Sequence, residues 1–589
     1  MKSKLLAIFT IFAVPLLYHY DETAAVVITS IFSSLFVLFH LWEQRSFSLQ
    51  PNKFLNTLIL LIFVWLLTVG NSVILSCSSY GSWAAFIKVC TLLLLCYLTT
   101  CQLSKDSNSY IDFYRIATLT GFLQGITAIC EYIEAPEIPK TWLDPASKEL
   151  FRTRCCGILT DPNIFAAFLS SMFIFTIALI IRSENKKEQI FSSISLVLCG
   201  TGIIMTLSRG GWVALFAALV AFIISLFIAK NKPQKFPLKL LGISAITLLI
   251  IFFAGPFKYR LFSITKPSDM TFYQRTLINK GIFGSINKLP IAGHGIHTFN
   301  QVYPLYRIVG GDYPMYAHNE YLQSMIETGF LSIILLIAIT ICLFIIIYKS
   351  AKQNKFDNLV FSSVFISLLI QNLSGFSSRI FPTSVLIAIS IGGILASQLV
   401  KQDLEENVKT NQKEKVIKYG LFALLLLVLP SSIQIYITQY NLNKANKLIS
   451  AGKINEAVEV YQKLLNNQPN NPTAANSLGM IQLINKQPEK AVETWKKAFE
   501  HNKFEATFPV NIARLYSSNN VEQADYYYKK ALELDPASEN YRLEYAKFLI
   551  QQNKNKEAKE ILEKGLTYSP GFHNVYTGFQ EMEKLLSTL

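Results

Sequence analysis

The stretch from Phe257 to Phe330 reads FKYRLFSITKPSDMTFYQRTLINKGIFGSINKLPIAGHGIHTFNQVYPLYRIVGGDYPMYAHNEYLQSMIETGF, a long polar interval between two apolar runs. Connections of this length between membrane helices are usually functional or disordered. This one is rich in aromatic residues and punctuated by Gly and Pro, which argues against disorder. It also holds three of the chain's seven histidines, His294, His297 and His318. We therefore expect a folded, functional segment here.

The composition indicates a membrane protein. The 589 residues are 51% hydrophobic, with a mean hydropathy of +0.34, and apolar runs long enough to cross a bilayer recur up to about Ile437. After Tyr440 the chain is polar, with 19 basic and 17 acidic residues. Most of the net charge of +15 therefore lies in the membrane part, where basic residues mark cytoplasmic loops, and we expect no nucleic-acid partner.

Hydropathy predicts an all-α, polytopic transmembrane bundle of about 12–13 spans with membrane lipids around it. The predicted spans are approximately residues 4–18, 23–42, 54–75, 83–100, 110–133, 164–181, 190–207, 211–229, 238–255, 329–348, 358–374, 381–399 and 417–437. The first run follows two lysines but lacks a small-residue cleavage site, so we expect a retained anchor rather than a signal peptide.

Basic residues recur in every second connection, which places those connections in the cytoplasm. The opposite face then receives the segment 134–161, the turn 208–211, the interval 256–328 and the segment around Arg379. An odd number of spans puts the C-terminal region on that face too. We predict that this face is periplasmic and that the membrane is the bacterial cytoplasmic (inner) membrane.

The C-terminal region predicts a helical repeat array. Ala457, Ala491, Ala524 and Ala558 are 34, 33 and 34 residues apart, and each is followed four positions later by a large residue. This pattern resembles tetratricopeptide repeats, which stack helix pairs into an α-solenoid. We therefore predict a membrane domain at 1–440 and a periplasmic repeat domain at 441–589. The array is either a surface that binds a protein partner or acceptor, or a structural cap.

Arg209 lies in TLSRGGWVAL, at the junction of two apolar runs. A charged residue at a membrane end either anchors the helix at the interface or has a functional partner. Gly210 and Gly211 leave the backbone open beside the guanidinium, which suits a bulky anion such as a lipid-linked diphosphate. Both glycines are therefore candidate substrate-binding residues.

Arg275 begins QRTLINKGIFGSI, which predicts a short amphipathic helix ahead of the turn-rich LPIAGHGIHTF. The alternative for Arg275 is an ion pair with a carboxylate such as Asp269. His294 lies between two glycines that allow close approach to a ligand, and it is a supporting candidate for substrate binding. Arg260, in the same interval, is a further substrate-binding candidate.

His318 lies in YAHNEYLQSMIETGF, where Asn319 is expected to cap a helix. That places His318 at a helix entrance on the outer face, where a neutral imidazole can take a proton from a sugar hydroxyl. The alternative is a loop histidine without a role. Asn319 is also a candidate substrate-binding residue.

Neither the histidines nor the cysteines show metal-ligand spacing, and no DxD pair of the kind that holds a nucleotide-sugar metal ion is present. We therefore expect no metal and no cofactor. Cys77 and the pair Cys155–Cys156 fall on one predicted face, where a disulfide is possible but not implied by the spacing.

The motifs SRGG, QRTLINK, PIAGHGIHTF and AHNEYLQSMIETGF occur in an order that resembles the O-antigen ligase/polymerase family of bacterial envelope glycosyltransferases, which includes related protein O-oligosaccharyltransferases. The resemblance covers roughly residues 150–395, including TDPNIFAAFL at 160–169. It implies many spans, one large periplasmic loop and glycan transfer from undecaprenyl diphosphate. It also implies catalytic roles for Arg209, Arg275 and His318.

The function that we expect is an O-antigen ligase-like transfer of a glycan from undecaprenyl diphosphate to an acceptor hydroxyl, with lipid A–core as the favoured acceptor. A growing glycan, as in an O-antigen polymerase, and a protein, as in an O-oligosaccharyltransferase, are the alternatives within this class. A lipid-linked glycan flippase or transporter, which needs charges distributed through the spans, is an alternative of another class. A scaffold whose active part is the repeat array is another.

Overall fold

Long apolar helices form the first two thirds of the chain, as the hydropathy predicts. The computed structural model describes residues 2–42, 48–49, 53–105, 108–134, 153–228, 237–255, 257–262, 270–309, 311, 314–353, 355–396, 399–400, 412–568 and 577–589. Within them the fold is all-α, apart from one two-residue antiparallel pair of β1 (Ser48–Leu49) with β2 (Leu399–Val400).

The helices up to the polar interval are α1 (Lys2–Ala7), α2 (Val14–Tyr20), α3 (Glu22–Trp42), α4 (Lys53–Ile74), α5 (Ser79–Lys105), α6 (Asn108–Glu134), α7 (Pro162–Arg182), α8 (Lys186–Met205), α9 (Arg209–Ile228) and α10 (Leu238–Ala254). A π-helical segment, Ile8–Ala13, joins α1 to α2. After the interval come α15 (Phe330–Lys352), α16 (Phe356–Gln371), α17 (Phe381–Ala396) and α18 (Gln412–Ser450).

Ten helices in the described residues are long and apolar enough to cross a membrane, and three shorter apolar helices accompany them. The short ones are α10, α16 and α17. Every predicted span coincides with one of these thirteen helices, which confirms the prediction of a multi-pass, all-α membrane protein. Which side faces the periplasm stays a prediction.

Helix α7 lies at the centre of the membrane part, where 94% of its most apolar 18-residue stretch is buried. It packs against α6, α8, α9 and α16. Small residues allow the closest approaches between helices. A Cβ on Gly125 of α6 would lie 2.6 Å from the Leu198 carbonyl carbon of α8, so only glycine fits at that crossing.

The polar interval folds into short helices around a small apolar core. Its helices are α11 (Phe257–Phe262), α12 (Met270–Gly284), α13 (Phe299–Val302) and α14 (Glu320–Thr328), with 3-10 turns at Ile286–Lys288 and Tyr303–Tyr306. The core includes Ile282, Phe299, Tyr303 and Ile326. Helix α12 confirms the short helix predicted from QRTLINKGIFGSI.

The C-terminal helices form the predicted repeat array. They are the end of α18, then α19 (Ile454–Asn467), α20 (Pro472–Ile484), α21 (Pro488–His501), α22 (Thr507–Tyr516), α23 (Val521–Leu534), α24 (Glu539–Gln551), α25 (Asn555–Leu566) and α26 (Thr577–Leu586). All four repeat alanines are fully buried. Helix α18 runs without a break through residue 440, and the domain boundary proposed there stays a prediction.

The repeat array packs against the start of α5 and against the polar interval. The Asn470 side-chain nitrogen donates to the Ser79 hydroxyl at 2.6 Å. The Arg307 guanidinium donates to the Ala537 carbonyl at 3.5 Å, and Phe504 contributes to the apolar core of the polar interval. The array and the polar interval therefore share one end of the molecule.

Candidate functional site

The SRGG turn is fastened to the start of α7. The Ser208 hydroxyl donates to the Asn163 side-chain oxygen at 2.9 Å and accepts from the Gly211 backbone N–H at 3.2 Å. The Arg154 guanidinium joins the same group, since it donates to Asn163 Oδ1 at 3.3 Å and to the Thr206 carbonyl at 3.2 Å. These bonds hold Arg154 beside the turn that carries Arg209.

The two glycines of this turn allow close packing. A Cβ on Gly211 would lie 2.5 Å from the Ala166 Cβ of α7, and one on Gly210 would lie 2.7 Å from the Ser374 hydroxyl. The contact at Gly211 requires glycine, because the Ala166 Cβ cannot rotate away, whereas the Ser374 hydroxyl near Gly210 can. The structure therefore places Gly211 against protein rather than in an open space, and a substrate contact at either glycine stays a prediction.

Three arginines act on the charge of a fourth, Arg154, at this end of the bundle. Burial lowers the pKa of Arg154 to about 10, and the positive charge of Arg260 is the next largest cause. Arg275 and Arg209 lower it further, and the Asp161 carboxylate opposes them. Like charges held together in a partly buried site are unfavourable unless an anion joins them. The three arginines proposed from sequence are thus brought together, with Arg154 among them.

Arg260 and Arg275 come from the polar interval, while the other two arginines come from the membrane part. Arg260 lies on α11 and is only 6% exposed. Arg275 lies on α12 and is half-buried. Asp269, the carboxylate considered as a partner for Arg275, lies outside the described residues.

His318 lies next to this positive site in a strained turn. Its φ is +52°, a left-handed conformation that side chains with a Cβ rarely adopt. Burial lowers the pKa of His318 to about 3, and the positive charge of Arg275 adds to the effect. The ring packs edge-on against Phe376 with centroids 5.3 Å apart. The imidazole is therefore neutral at physiological pH, and no described residue hydrogen-bonds its buried Nδ1.

Asn319 caps α14 as predicted. Its side-chain oxygen accepts from the backbone N–H groups of Tyr321 at 3.1 Å and Leu322 at 3.2 Å. This cap fixes where α14 begins, two residues after His318. Its suggested contact with substrate stays a prediction.

His294 lies at the contact between the polar interval and the repeat array. Its Nε2 is 2.6 Å from the Tyr306 hydroxyl, and its ring packs edge-on against Phe504, with centroids 5.4 Å apart. Burial lowers its pKa to about 4. The described contacts of the ring thus include a residue of the array, which the sequence did not suggest. Its supporting role in substrate binding stays a prediction.

The sequence analysis missed Arg154 and a buried network around Arg379. Arg154 lies in TRCCGILTDPNIF, on the face predicted for Arg209, but no motif singled it out.

All nine cysteines are free, including Cys77, Cys155 and Cys156, so the considered disulfide is not formed. Within the described residues no group of His, Cys, Asp and Glu has the arrangement of a metal site.

Comparisons with known proteins support the resemblance. A family model described as O-antigen ligase matches residues 194–337, which include Arg209, Arg275 and His318. A tetratricopeptide repeat model matches residues 515–577. Arg154 lies outside both matches.

One relative is a ComP-specific O-oligosaccharyltransferase from Acinetobacter baylyi, which is 23% identical over 274 residues. The match covers 43% of this chain and 46% of the relative, so the chain spans about half the length of this curated relative. Two crystal structures of MamA also match at 20% identity with TM-scores of 0.21, covering 24% and 26% of this chain and 86% and 85% of theirs.

The matches confirm the resemblance predicted from the motifs. They support an O-antigen ligase-like glycan transferase. In sequence, the chain resembles the O-antigen ligase family through its membrane part and carries tetratricopeptide repeats at its C-terminal end.

Proposed function

We propose that this protein transfers a glycan from undecaprenyl diphosphate to an acceptor hydroxyl on the periplasmic face of the bacterial inner membrane. The observation that carries the proposal is the arginine group beside a neutral histidine. Arg209, Arg260 and Arg275 act electrostatically on Arg154, and Arg275 also acts on His318. A positive site next to a proton acceptor is what this reaction needs.

The arginines would hold the donor diphosphate. A guanidinium binds phosphate oxygens with two parallel N–H groups and keeps its charge at any physiological pH. The repulsion that lowers the pKa of Arg154 would be relieved when an anionic group enters. The same charges stabilise the negative charge that builds up on the leaving diphosphate.

The reaction balances without a further reactant. The acceptor oxygen attacks the anomeric carbon and forms a new C–O bond, while the bond from that carbon to the diphosphate oxygen breaks and its electron pair leaves with the diphosphate. His318 takes the proton of the acceptor hydroxyl. Departure of the diphosphate drives the transfer, so ATP is not required.

Donor binding would also tune His318. In the unliganded protein burial, assisted by Arg275, lowers the pKa of His318 to about 3, which makes the imidazole a weak base. A diphosphate beside Arg275 offsets that positive charge and raises the pKa of His318. The donor would thus offset the smaller of the two causes, and His318 would be a stronger base with the donor bound than without it.

The acceptor is the finer part of the proposal. Lipid A–core is the acceptor that we favour from the motifs, and a protein acceptor is the second candidate, since the Acinetobacter relative is named as an O-oligosaccharyltransferase specific for ComP. The repeat array lies against the polar interval through Phe504 and His294. This contact supports a role for the array in presenting the acceptor.

The test is reconstitution with one donor and alternative acceptors. Purified protein in liposomes receives undecaprenyl-diphosphate glycan together with lipid A–core, a free glycan or a protein with exposed Ser and Thr. Product on lipid A–core supports the ligase, and product on protein alone assigns an O-oligosaccharyltransferase. No product on any acceptor, with protein that is active in cells, would contradict the transferase. The scaffold alternative makes a different prediction: deleting residues 441–589 would abolish the cellular phenotype, while variants of Arg209 and His318 would retain it.

A further inference from the structure

The turn that carries His318 is fixed on both sides by buried hydrogen bonds. On the upstream side, the Ala317 backbone N–H donates to the Gln323 side-chain oxygen at 3.0 Å. The Gln323 side-chain nitrogen then donates to Glu327 Oε1, also at 3.0 Å. Gln323 is 1% exposed and Glu327 is fully buried. A chain of two hydrogen bonds therefore joins the residue before His318 to a buried carboxylate.

On the downstream side, Arg379 holds α14 from the connection between α16 and α17. Its Nε donates to Glu320 Oε2 at 2.9 Å, its Nη1 to Glu327 Oε2 at 2.5 Å and its Nη2 to the Ser324 hydroxyl at 3.1 Å. The Glu320 backbone N–H donates to the Asn372 carbonyl at 3.0 Å. Arg379 thus hydrogen-bonds to residues near both ends of α14.

The charges in this network compensate one another. Burial opposes the charged guanidinium, but Glu320 and Glu327 outweigh it and raise the pKa of Arg379 above its usual range. Arg379 therefore stays charged, and losing its partner Glu327 would leave a buried charge alone. Such a network holds one arrangement of the backbone around it.

We propose that Gln323, Glu327 and Arg379 are positioning residues that hold His318 in its left-handed turn and so keep the imidazole where the acceptor proton is taken. A left-handed, non-glycine residue persists only when its surroundings fix it. The Ala317 and Glu320 backbone N–H groups are both bonded, so the chain is held on each side of His318. Arg379 adds a bond to the Glu320 side chain. The inference rests on the proposed role of His318 in glycan transfer.

Gln323 is the best residue for a test, because its partners are few. Glu327 also accepts from the backbone N–H groups of His297 and Phe299 at 2.9 and 3.3 Å, so its replacement would disturb a second loop. Gln323→Met keeps the length and burial of the side chain but removes both hydrogen bonds. Gln482→Met is the matched control, because Gln482 is also buried and accepts a side-chain hydrogen bond, from Thr494 in the repeat array.

The experiment compares wild type, Gln323→Met, His318→Ala and the double variant in nanodiscs. The donor-bound fraction counts the folded sites, and single-turnover transfer of labelled glycan gives the rate for each site. We expect Gln323→Met to lower this rate about tenfold or more, because small displacements of a reacting group are costly. Donor affinity should stay within about twofold, since Gln323 acts on the histidine rather than on the arginines. Gln482→Met should match wild type in both measurements.

The His318→Ala background separates positioning from a general structural role. A residue that acts only through His318 has no further effect once that side chain is gone, so Gln323→Met should leave the residual rate unchanged there. A second measurement uses labelled histidine, where the His318 imidazole signal should shift or broaden in Gln323→Met while that of His19 stays in place. This signal is readable even when residual transfer is slow.

Each result has a defined meaning. A wild-type rate for each donor-binding site in Gln323→Met, or an unchanged His318 signal, would overturn the positioning role. An equal loss of rate in the presence and absence of the His318 side chain would overturn it too, since the effect would then not pass through His318. A wild-type rate in His318→Ala would instead overturn the proposed role of His318, which is a different failure.

Discussion

Replacing Arg154 with Met is expected to stabilise the unliganded protein and to weaken donor binding. Burial and, next, the neighbouring arginines lower the pKa of Arg154 from its usual range to about 10. Since the folded pKa lies below the unfolded one, the charged side chain opposes folding at every pH below the folded value. A shift of this size corresponds to roughly 3 kcal/mol of destabilisation.

Removing the charge of Arg154 would therefore stabilise the fold, but part of this stabilisation is lost with the hydrogen bonds that Arg154 makes. Met cannot donate to Asn163 or to the Thr206 carbonyl, which Arg154 reaches at 3.3 and 3.2 Å, and the lost bonds cost roughly 1–2 kcal/mol together. The net stabilisation is therefore about 1–2 kcal/mol. A lost charge-assisted contact with the diphosphate costs about 1.5–3 kcal/mol, which is roughly a 10- to 100-fold weaker affinity.

The assay records thermal unfolding without donor and the affinity for undecaprenyl-diphosphate glycan, both in nanodiscs. Arg154→Lys is the charge-preserving control, and we expect it to gain no stability. Arg514→Met removes an exposed ion pair with Glu544 in the array and should leave donor affinity unchanged. A lower unfolding temperature of Arg154→Met together with wild-type donor affinity would refute the reasoning and make Arg154 a structural residue.

The remaining predictions concern three other positions. His318→Ala should lower kcat by about 100-fold or more with donor affinity kept, and an unchanged kcat would contradict its role as base. Burial lowers the pKa of His294 from 6.5 to about 4, so the folded protein loses stability as the pH falls below about 6.5. In thermal unfolding, His294→Phe should therefore lose less stability than wild type between about pH 6.5 and 4. Gly211→Ala should lower the free energy of unfolding by about 1–3 kcal/mol, because the new Cβ would lie 2.5 Å from the Ala166 Cβ. Gly242→Ala is the control: no atom lies within 4 Å of its Cβ, so it should not lower the unfolding temperature.

The parts of the fold that follow from local pattern were predictable from the sequence. Apolar runs long enough to cross a bilayer predict spanning helices almost regardless of context, and each predicted span coincides with a helix. The regular spacing of Ala457, Ala491, Ala524 and Ala558 predicts helix pairs, because small residues recur where the helices meet. The cap at Asn319 is likewise a local signal.

The parts that depend on distant contacts were not predictable. Arg154 carries no motif, and its place among Arg209, Arg260 and Arg275 arises only when the turn before α7 meets the polar interval. Gln323 and Glu327 lie four residues apart, so their common helix face was predictable. Their partner Arg379 is 52 residues beyond Glu327, and no sequence period links the two.

The position of His294 shows the same limit. Its glycine neighbours suggested access for a ligand, but the ring packs against Phe504 of the repeat array. No local pattern tells where a repeat array will pack on a membrane domain. Arg209 and Arg275 both act on the charge of Arg154, and the sequence linked them through the resemblance rather than through periodicity or composition.

The most direct test of glycan transfer from a lipid-linked diphosphate measures both products together. Wild-type protein in liposomes, supplied with undecaprenyl-diphosphate glycan and lipid A–core, should release one undecaprenyl diphosphate for each glycan attached, with no ATP present. Arg275→Ala and His318→Ala should form both products much more slowly than wild type. Glycan that reaches the opposite leaflet still attached to its lipid, without release of undecaprenyl diphosphate, would contradict the account and favour a transporter.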